Sequence, residues 1–296
     1  MVKESSAFVR KLAHNDPAIR NSAFASLKQY LQSPAGHKLR LLDLEKVWKG
    51  LYYSMWYCDK PIPQQGLAGD LGGLFSAVVP QEKLADFHRA FWVVVSREWH
   101  SIDKWRIDKY LMLVRRVLRH NLFRLQAHSW PASEVADFLS VLQEYPISDN
   151  TKFPQSLAYH VCDIFLDEIE YVVFKDFRDY SEENDEEDDE DEEEDEEEDE
   201  EDEEDEQDLL HMQKPATETA STAELTEEEK ETKKAQIISK IPVAQLVEPY
   251  KTLVASTRNK ALRERCQEEI LDDARLTKWG VVDKEESESE DEWTGF

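Results

Sequence analysis

The 296-residue sequence has few of the residues that build metal centres, disulfide frameworks and phosphate-binding loops. Its three cysteines, Cys58, Cys162 and Cys266, lie too far apart for the paired spacing of a zinc site. Its eight glycines form neither GxxxxGK[ST] nor GxGxxG, and no two histidines have the HExxH spacing. We therefore expect no cofactor, no small-molecule substrate and no catalytic activity, in a reducing intracellular compartment.

Long hydrophobic runs are also missing. No stretch approaches the ~20 apolar residues that cross a bilayer, and the first ten residues carry no apolar run of signal-peptide length. We therefore expect no contact with a membrane. The apolar fraction is nevertheless 40%, which is sufficient for a hydrophobic core.

Negative charge is abundant but confined to one segment. Residues 181–208 contain 25 Asp and Glu and neither Lys nor Arg, so the formal charge falls from −29 to −4 when this tract is set aside. Residues 1–180 contain 23 basic against 21 acidic residues. The acidity therefore belongs to the tract, which we expect to be disordered because its carboxylates repel one another and offer no apolar area.

Apolar residues recur at helical spacing and predict an all-α protein. Asp16-Pro17 is typical of an N-cap followed by proline at the first helical position. Short turn-rich gaps separate further amphipathic stretches, predicted as helices over Leu44–Met55, Gln64–Val78, Glu82–Trp99, Ile102–Leu125, Ser133–Tyr145 and Ser156–Phe174. The pattern indicates a HEAT-like stack of antiparallel helical hairpins, interrupted by the acidic tract.

Four regions follow from this pattern. We expect a helical domain over residues 1–180, an acidic disordered linker over 181–235 and an acidic disordered tail over 281–296. Helical spacing returns in residues 236–280, which are too few to hold a core alone. We therefore expect this C-terminal hairpin to dock on the first domain.

Basic residues concentrate between Arg97 and Arg124, where eight Lys or Arg face three acidic residues. If the helix begins near Ile102, five of them fall within an arc of roughly 140° opposite the apolar face, namely Lys104, Lys109, Arg115, Arg116 and Arg119. One interpretation is a solvent-exposed cationic face that binds RNA phosphates or a partner. The alternative is an ordinary solvated helix surface. On the first interpretation, reversing Arg115, Arg116 and Arg119 to Glu would weaken binding and spare folding.

Three smaller groups are also candidates. Trp48, Tyr52 and Trp56 share a helical face expected in the core, whereas Tyr53 and Tyr57 point elsewhere and could form part of an interface. Arg258 and Arg263 belong to a second basic set that opens the last helix. The carboxylates on one helical face could be ligands of a metal-dependent nuclease or, more commonly, a solvated acidic surface: Asp163, Asp167 and Glu170.

Two stretches resemble the signatures of a known family. Residues 48–56, with the sequence WKGLYYSMW, continue into Asp59-Lys60-Pro61, and residues 102–110, with the sequence IDKWRIDKY, are followed by Arg115-Arg116-Val117-Leu118. Both are similar to the eukaryotic nucleolar family of ribosomal RNA-processing protein one, or Nop-fifty-two. Weaker similarity covers most of the chain outside the acidic tract.

The resemblance implies a HEAT-like fold and a nucleolar assembly factor of early large-subunit precursors, required for maturation of the 5.8S and 25S/28S RNAs. It implies no catalytic residues. As partners it implies other assembly factors, among them a β-propeller protein and a Brix-domain protein, with contact to precursor RNA left open. The alternative function is an acidic chaperone whose tract shields basic ribosomal proteins.

Overall fold

The structure is a computed structural model that describes residues 10–12, 14, 16–177 and 226–282. Every regular element within these ranges is helical, and no strand occurs in them, so the all-α prediction is confirmed. None of the helices in this part of the chain combines the length and the apolarity needed to cross a membrane. Among the described residues, those up to 173 and from 237 group into one compact unit, and those at 174–177 and 226–236 into a second.

The helices are labelled in chain order. They are α1 (Pro17–Leu31), α2 (Leu41–Trp56), α3 (Pro61–Gly73), α4 (Gln81–Glu98), α5 (Ile107–Ala127), α6 (Ala132–Glu144), α7 (Gln155–Val173), α8 (Glu227–Ile238), α9 (Val243–Ser256), α10 (Lys260–Cys266) and α11 (Ala274–Lys278). Wider π-helical turns extend α3 through Leu74–Val78 and α10 through Gln267–Leu271.

The predicted start of α1 is confirmed. The Asp16 side chain accepts a hydrogen bond from the backbone N–H of Ala18 at 2.9 Å, and Pro17 occupies the first helical position. The carboxylate satisfies one of the four N–H groups that a helix start leaves without a partner, and the proline ring fixes the backbone angle that the helix requires.

Helices that are next but one in sequence pack against each other in the first unit. One layer runs through α2, α4, α6 and α9, and the other through α3, α5, α7 and α10. Consecutive helices thus belong to different layers, which is the arrangement expected of stacked hairpins in a HEAT-like fold. Because α5 packs against both α3 and α7, it lies inside the stack rather than at its edge.

Large aromatic side chains fill the core between the layers. Trp48 of α2 is fully buried, and its indole N–H donates to the Phe87 carbonyl of α4 at 3.0 Å. The ring of Tyr52 stacks on that of Tyr110 at 4.5 Å between centroids, and the Tyr110 hydroxyl donates to the Tyr52 carbonyl at 2.9 Å. Trp48 and Tyr110 therefore each contribute apolar area and a directed hydrogen bond that fixes the register of two helices.

The prediction of a disordered linker over residues 181–235 is wrong at its C-terminal end, because α8 begins at Glu227. The hydroxyl of Thr226 accepts from the Glu229 backbone N–H at 3.4 Å, while the Glu229 carboxylate accepts from the Thr226 backbone N–H at 3.0 Å. This reciprocal capping box stabilises a helix start in a polar sequence. The disorder expected for residues 181–208 lies outside the described residues, and so does that of the tail over 281–296, apart from residues 281 and 282.

Candidate interaction surfaces

The five cations expected on one exposed face of α5 do not form such a face. The helical wheel assigns the side opposite the core to solvent, but that side of α5 packs against α7. Lys109 and Arg119 are buried. The expectation that they face solvent is therefore wrong.

Arg119 instead forms a buried ion pair with Glu168 of α7. Its Nε donates to Glu168 Oε2 at 2.6 Å and its Nη2 donates to Oε1 at 3.0 Å, so both carboxylate oxygens are engaged. The guanidinium carbon lies 3.3 Å from the centroid of the Tyr171 ring. Glu168 is completely buried, and the pair therefore joins α5 to α7. A Glu at position 119 would place two carboxylates together there, so a triple reversal that includes Arg119 is not expected to spare folding.

Lys109 is buried as well and secures the turn after α2. Its ammonium donates to the carbonyls of Trp56 at 3.0 Å and Cys58 at 2.8 Å, and to the Asp59 carboxylate at 3.3 Å. Burial lowers the pKa of Lys109, and the hydrogen bond to Asp59 opposes that shift. The side chain therefore holds the backbone of residues 56–59 beside the start of α5.

The remaining three cations are more accessible. The Arg115 side chain is half-buried and contacts Asp167 at 3.5 Å and Glu168 at 3.4 Å, so much of its charge is balanced by α7. Arg116 is also half-buried. Lys104 is exposed, but it lies in the turn before α5, which begins at Ile107 rather than Ile102. Of the five, Lys104 alone is exposed.

An exposed tryptophan next to Lys104 was not singled out from the sequence. Trp105 is 81% exposed, and the Lys104 ammonium lies 4.5 Å from the centroid of its indole ring. The guanidinium of Arg106 lies 4.8 Å from the Trp56 ring, which brings this turn next to the end of α2. Burying an indole of this size from water would give a partner a large apolar contact.

Two further exposed apolar side chains lie at the end of α2 and the start of α3. Tyr57 is 42% exposed and Ile62 is 74% exposed, and both flank the turn that Lys109 holds. We define the Trp105 surface as Tyr57, Ile62, Lys104 and Trp105. It places aromatic and aliphatic area beside a positive charge, and aromatic side chains are enriched at sites where proteins bind partners.

Tyr53 is less available than expected. Its hydroxyl donates to the Glu98 carboxylate at 3.3 Å, and its ring contacts Tyr52 edge-on at 5.3 Å between centroids. Burial raises the pKa of the Tyr53 hydroxyl, and the Glu98 carboxylate raises it further. Of the two tyrosines predicted for an interface, Tyr57 is thus the more exposed.

The acidic residues of α7 form ion pairs with arginines of α10 and α11. Asp163 accepts from Arg265 Nε at 2.6 Å, and this hydrogen bond raises the pKa of Arg265. Arg275 donates to Asp167 at 2.8 Å and to Glu170 at 3.2 Å. No group of three or more potential metal ligands occurs among the described residues. These carboxylates therefore act as ion-pair partners between α7 and the last helices.

The second basic set lies where the C-terminal helices meet the loop between α6 and α7. The Thr257 hydroxyl donates to Asp149 of that loop at 2.7 Å, and Arg263 donates to the Thr257 carbonyl. Arg258 is exposed and lines a cavity beside this loop. Arg263 is exposed too, although one of its donors is used within the chain.

Stacked helical hairpins in two layers define a helical-repeat type of protein, in which each hairpin packs against its neighbours. Comparison with known proteins identifies the family: the chain matches the family described as nucleolar protein, Nop52, over residues 3–295, and it belongs to that family. The family resemblance seen in residues 48–61 and 102–118 is thus confirmed.

Curated relatives carry one name in several animals. The chain is 36% identical over 169 residues to ribosomal RNA processing protein 1 homolog B of Mus musculus, covering 56% of this chain and 23% of that protein. It is 36% identical over 164 residues to the Caenorhabditis elegans homolog, covering 55% and 41%. It is 34% identical over 167 residues to homolog A of Homo sapiens, covering 55% and 36%. The matched region thus spans less than half of each of these relatives.

Proposed function

We propose that this chain is a non-catalytic assembly factor of the early nucleolar precursor of the large ribosomal subunit. It is required for processing the precursor RNA that gives the 5.8S and 25S/28S species. Membership of the Nop52 family over residues 3–295 carries this proposal. The family description contains the word nucleolar, and the relatives are named for ribosomal RNA processing, with no enzymatic term in either.

The chain acts in this proposal as a helical scaffold. Two layers of helices joined by buried hydrogen bonds form a rigid support, and the Trp105 surface presents its side chains from turns that Lys109 and Arg106 hold in place. Its partners are other precursor assembly factors, including a β-propeller protein and a Brix-domain protein, together with precursor RNA. A rigid support lowers the entropy that a binding site loses on association.

Purification of the tagged full-length chain, followed by protein–RNA crosslinking, tests this function. We expect large-subunit precursor RNA and assembly factors to co-purify, and depletion of the chain to cause precursors of the 5.8S and 25S/28S species to accumulate. Unchanged precursor levels after depletion would contradict the proposal.

The first prediction concerns the Trp105 surface. Replacing Trp105 by Ala should weaken attachment to the precursor particle at least about tenfold, because a buried interface tryptophan commonly contributes ~2 kcal/mol or more. Folding should be unaffected, since exposed substitutions usually change stability by less than about 0.5 kcal/mol. Co-purification across a salt series measures the first effect, and thermal melting measures the second.

Leu42→Ala supplies a matched control. Leu42 is also an exposed large apolar residue, at 57%, but it lies at the opposite end of α2 from Tyr57. The Leu42 variant should bind like the wild type. If the Trp105 and Leu42 variants co-purify equally with the precursor particle at every salt concentration, the Trp105 surface does not bind a partner.

A second candidate function rests on the 25 acidic residues of the tract, which could shield basic ribosomal proteins before they meet RNA. The second prediction separates it from the scaffold. Replacing residues 182–208 by a Gly/Ser linker of equal length should leave the melting temperature unchanged, because like charges at this density gain nothing by packing. If the tract is accessory, precursor binding should also survive. Loss of binding to a purified basic ribosomal protein, with precursor attachment intact, would assign the tract the chaperone role.

A further inference from the structure

A cavity of about 360 Å³ opens between the loop that joins α6 to α7 and the start of α10. Its apolar lining is formed by Phe153, Ala158 and Leu262, all of which are buried in the fold. This volume lies within the range of sites that take one large side chain or a small organic group. The cavity is separate from the Trp105 surface.

The rim of the cavity is fixed by contacts between its two sides. The hydrogen bond from Thr257 to Asp149 at 2.7 Å crosses from one loop to the other, and Arg263 holds the Thr257 carbonyl. Arg258 follows this anchored residue directly. Its guanidinium is exposed and has no hydrogen bond or ion pair to any described residue. The planar guanidinium of Arg258 thus lies at the mouth of the cavity, and the contacts of Thr257 fix the backbone next to it.

The amide side chains of the rim present donors. Asn150 Oδ1 accepts from the Lys152 backbone N–H at 3.0 Å, and Asn259 Oδ1 accepts from the Leu262 backbone N–H at 3.2 Å. Because a backbone N–H can only donate, these two oxygens are used as acceptors, and neither Nδ2 group donates to another described residue. Together with Arg258, the rim offers donors on three side chains, and they require acceptors on the ligand.

We propose that this cavity binds an acidic peptide segment of a partner protein. A Glu or Asp carboxylate pairs with the Arg258 guanidinium in the two-pronged geometry that arginine favours, and peptide oxygens accept from the two asparagines. A neighbouring large apolar side chain enters the cavity and contacts Phe153 and Leu262. A peptide fits better than RNA, because the rim carries a single arginine, whereas RNA binding relies on several cations along the phosphate backbone.

Selection from a displayed library of random twelve-residue peptides on the full-length chain tests this inference. We expect the selected peptides to be enriched in Asp or Glu next to an aromatic or large aliphatic residue. Arg258→Glu should weaken binding of the most enriched synthetic peptide by about tenfold or more, as measured by calorimetry, because a charge-assisted pair is replaced by repulsion. Arg258→Ala should weaken it less.

Lys260→Glu is the matched control. It makes the same change of charge two residues away, at a side chain that pairs with Glu264 and does not line the cavity. Its peptide affinity should stay within about twofold of the wild type at 150 mM salt, where surface charges are largely screened. Selected peptides without acidic enrichment, no selection at all, or equal affinity of the Arg258 and Lys260 variants would overturn the proposal. So would a ten-nucleotide single-stranded RNA that binds with the same dependence on Arg258 while peptides do not.

The outcome is independent of the ribosomal function proposed above. Peptide selection uses the purified chain alone, and so its failure leaves the precursor co-purification result intact. Conversely, a chain that fails to co-purify with precursors could still bind an acidic peptide in this cavity.

Discussion

Replacing Arg119 by Met should lower the free energy of unfolding by about 3–5 kcal/mol, the range seen when one partner of a buried ion pair is removed. The Glu168 carboxylate would remain completely buried, and among the described residues it would keep the ion pair to Arg115 Nε at 3.4 Å. Burial of a carboxylate without a full partner is costly because no water replaces the lost hydrogen bonds. Denaturant unfolding of the full-length chain measures the change.

Two further variants make this test specific. Removing the acid as well, in Arg119→Met with Glu168→Leu, should recover more than half of the lost stability, since an apolar pair often replaces a buried ion pair at little cost. Arg97 also pairs with a carboxylate, Glu45 at 3.2 Å, but its side chain is largely exposed. Arg97→Met should therefore change stability by less than about 1 kcal/mol. If Arg119→Met unfolded at the same denaturant concentration as Arg97→Met, the buried pair would not be stabilising α5 against α7.

Replacing Gly72 by Ala should destabilise the protein by about 1–3 kcal/mol, the usual effect of inserting a methyl group into a tightly packed contact. A Cβ at Gly72 would lie 2.5 Å from His120 Cδ2 and 2.9 Å from the Arg116 carbonyl oxygen. The second of these atoms is backbone, so α3 and α5 would have to separate. Thermal melting together with denaturant unfolding would show the loss.

Gly69 gives the opposite expectation in the same helix. A Cβ there meets nothing within 4 Å, and so Gly69→Ala should raise stability by about 0.5–1 kcal/mol through reduced backbone entropy of the unfolded chain. The two variants make the same chemical change in α3 with opposite signs. A stabilising Gly72→Ala would mean that the helices are not as close at this crossing as described.

Local features of the fold could be read from the sequence. Asp16-Pro17 predicts a helix start because capping involves only neighbouring residues, and the structure confirms it. The shared face of α2 predicts Trp48, Tyr52 and Trp56 in the core; the first two are buried, whereas Trp56 is half-buried. The capping box of Thr226 and Glu229 carries an equally local signal, T-x-x-E, which could have identified α8 in the polar segment.

Whether a charged side chain is buried or exposed could not be predicted in the same way. A helical wheel shows which residues share a side of α5, but it does not show that α7 covers that side. Arg119 therefore looked exposed, although Glu168 lies 49 residues further along the chain. Such a contact depends on how the two helices pack in the tertiary structure, and the spacing of residues within one helix does not predict it.

Trp105 was missed for a related reason. The sequence pattern predicts one helix over residues 102–125, in which an aromatic residue near the start is assigned to one face. The structure begins α5 at Ile107, because the Asp103 side chain accepts from the Trp105 backbone N–H at 3.0 Å and forms a turn. This turn directs Trp105 to solvent. An Asp two residues before the tryptophan was the available signal.

The contacts between α7 and the last helices affect how well the protein tolerates insertions and deletions in residues 178–225. Asp163 and Arg265 are 102 residues apart, and Cys162 and Cys266 meet with their sulfurs at 3.5 Å. Residues 178–225 lie within the loop that these contacts close. The entropy lost on closing a flexible loop grows only with the logarithm of its length, by about 0.6 kcal/mol for each doubling. Insertions or deletions in this segment should therefore cost the folded unit little, which leaves the length and charge of the acidic tract free to vary without loosening the helices on either side.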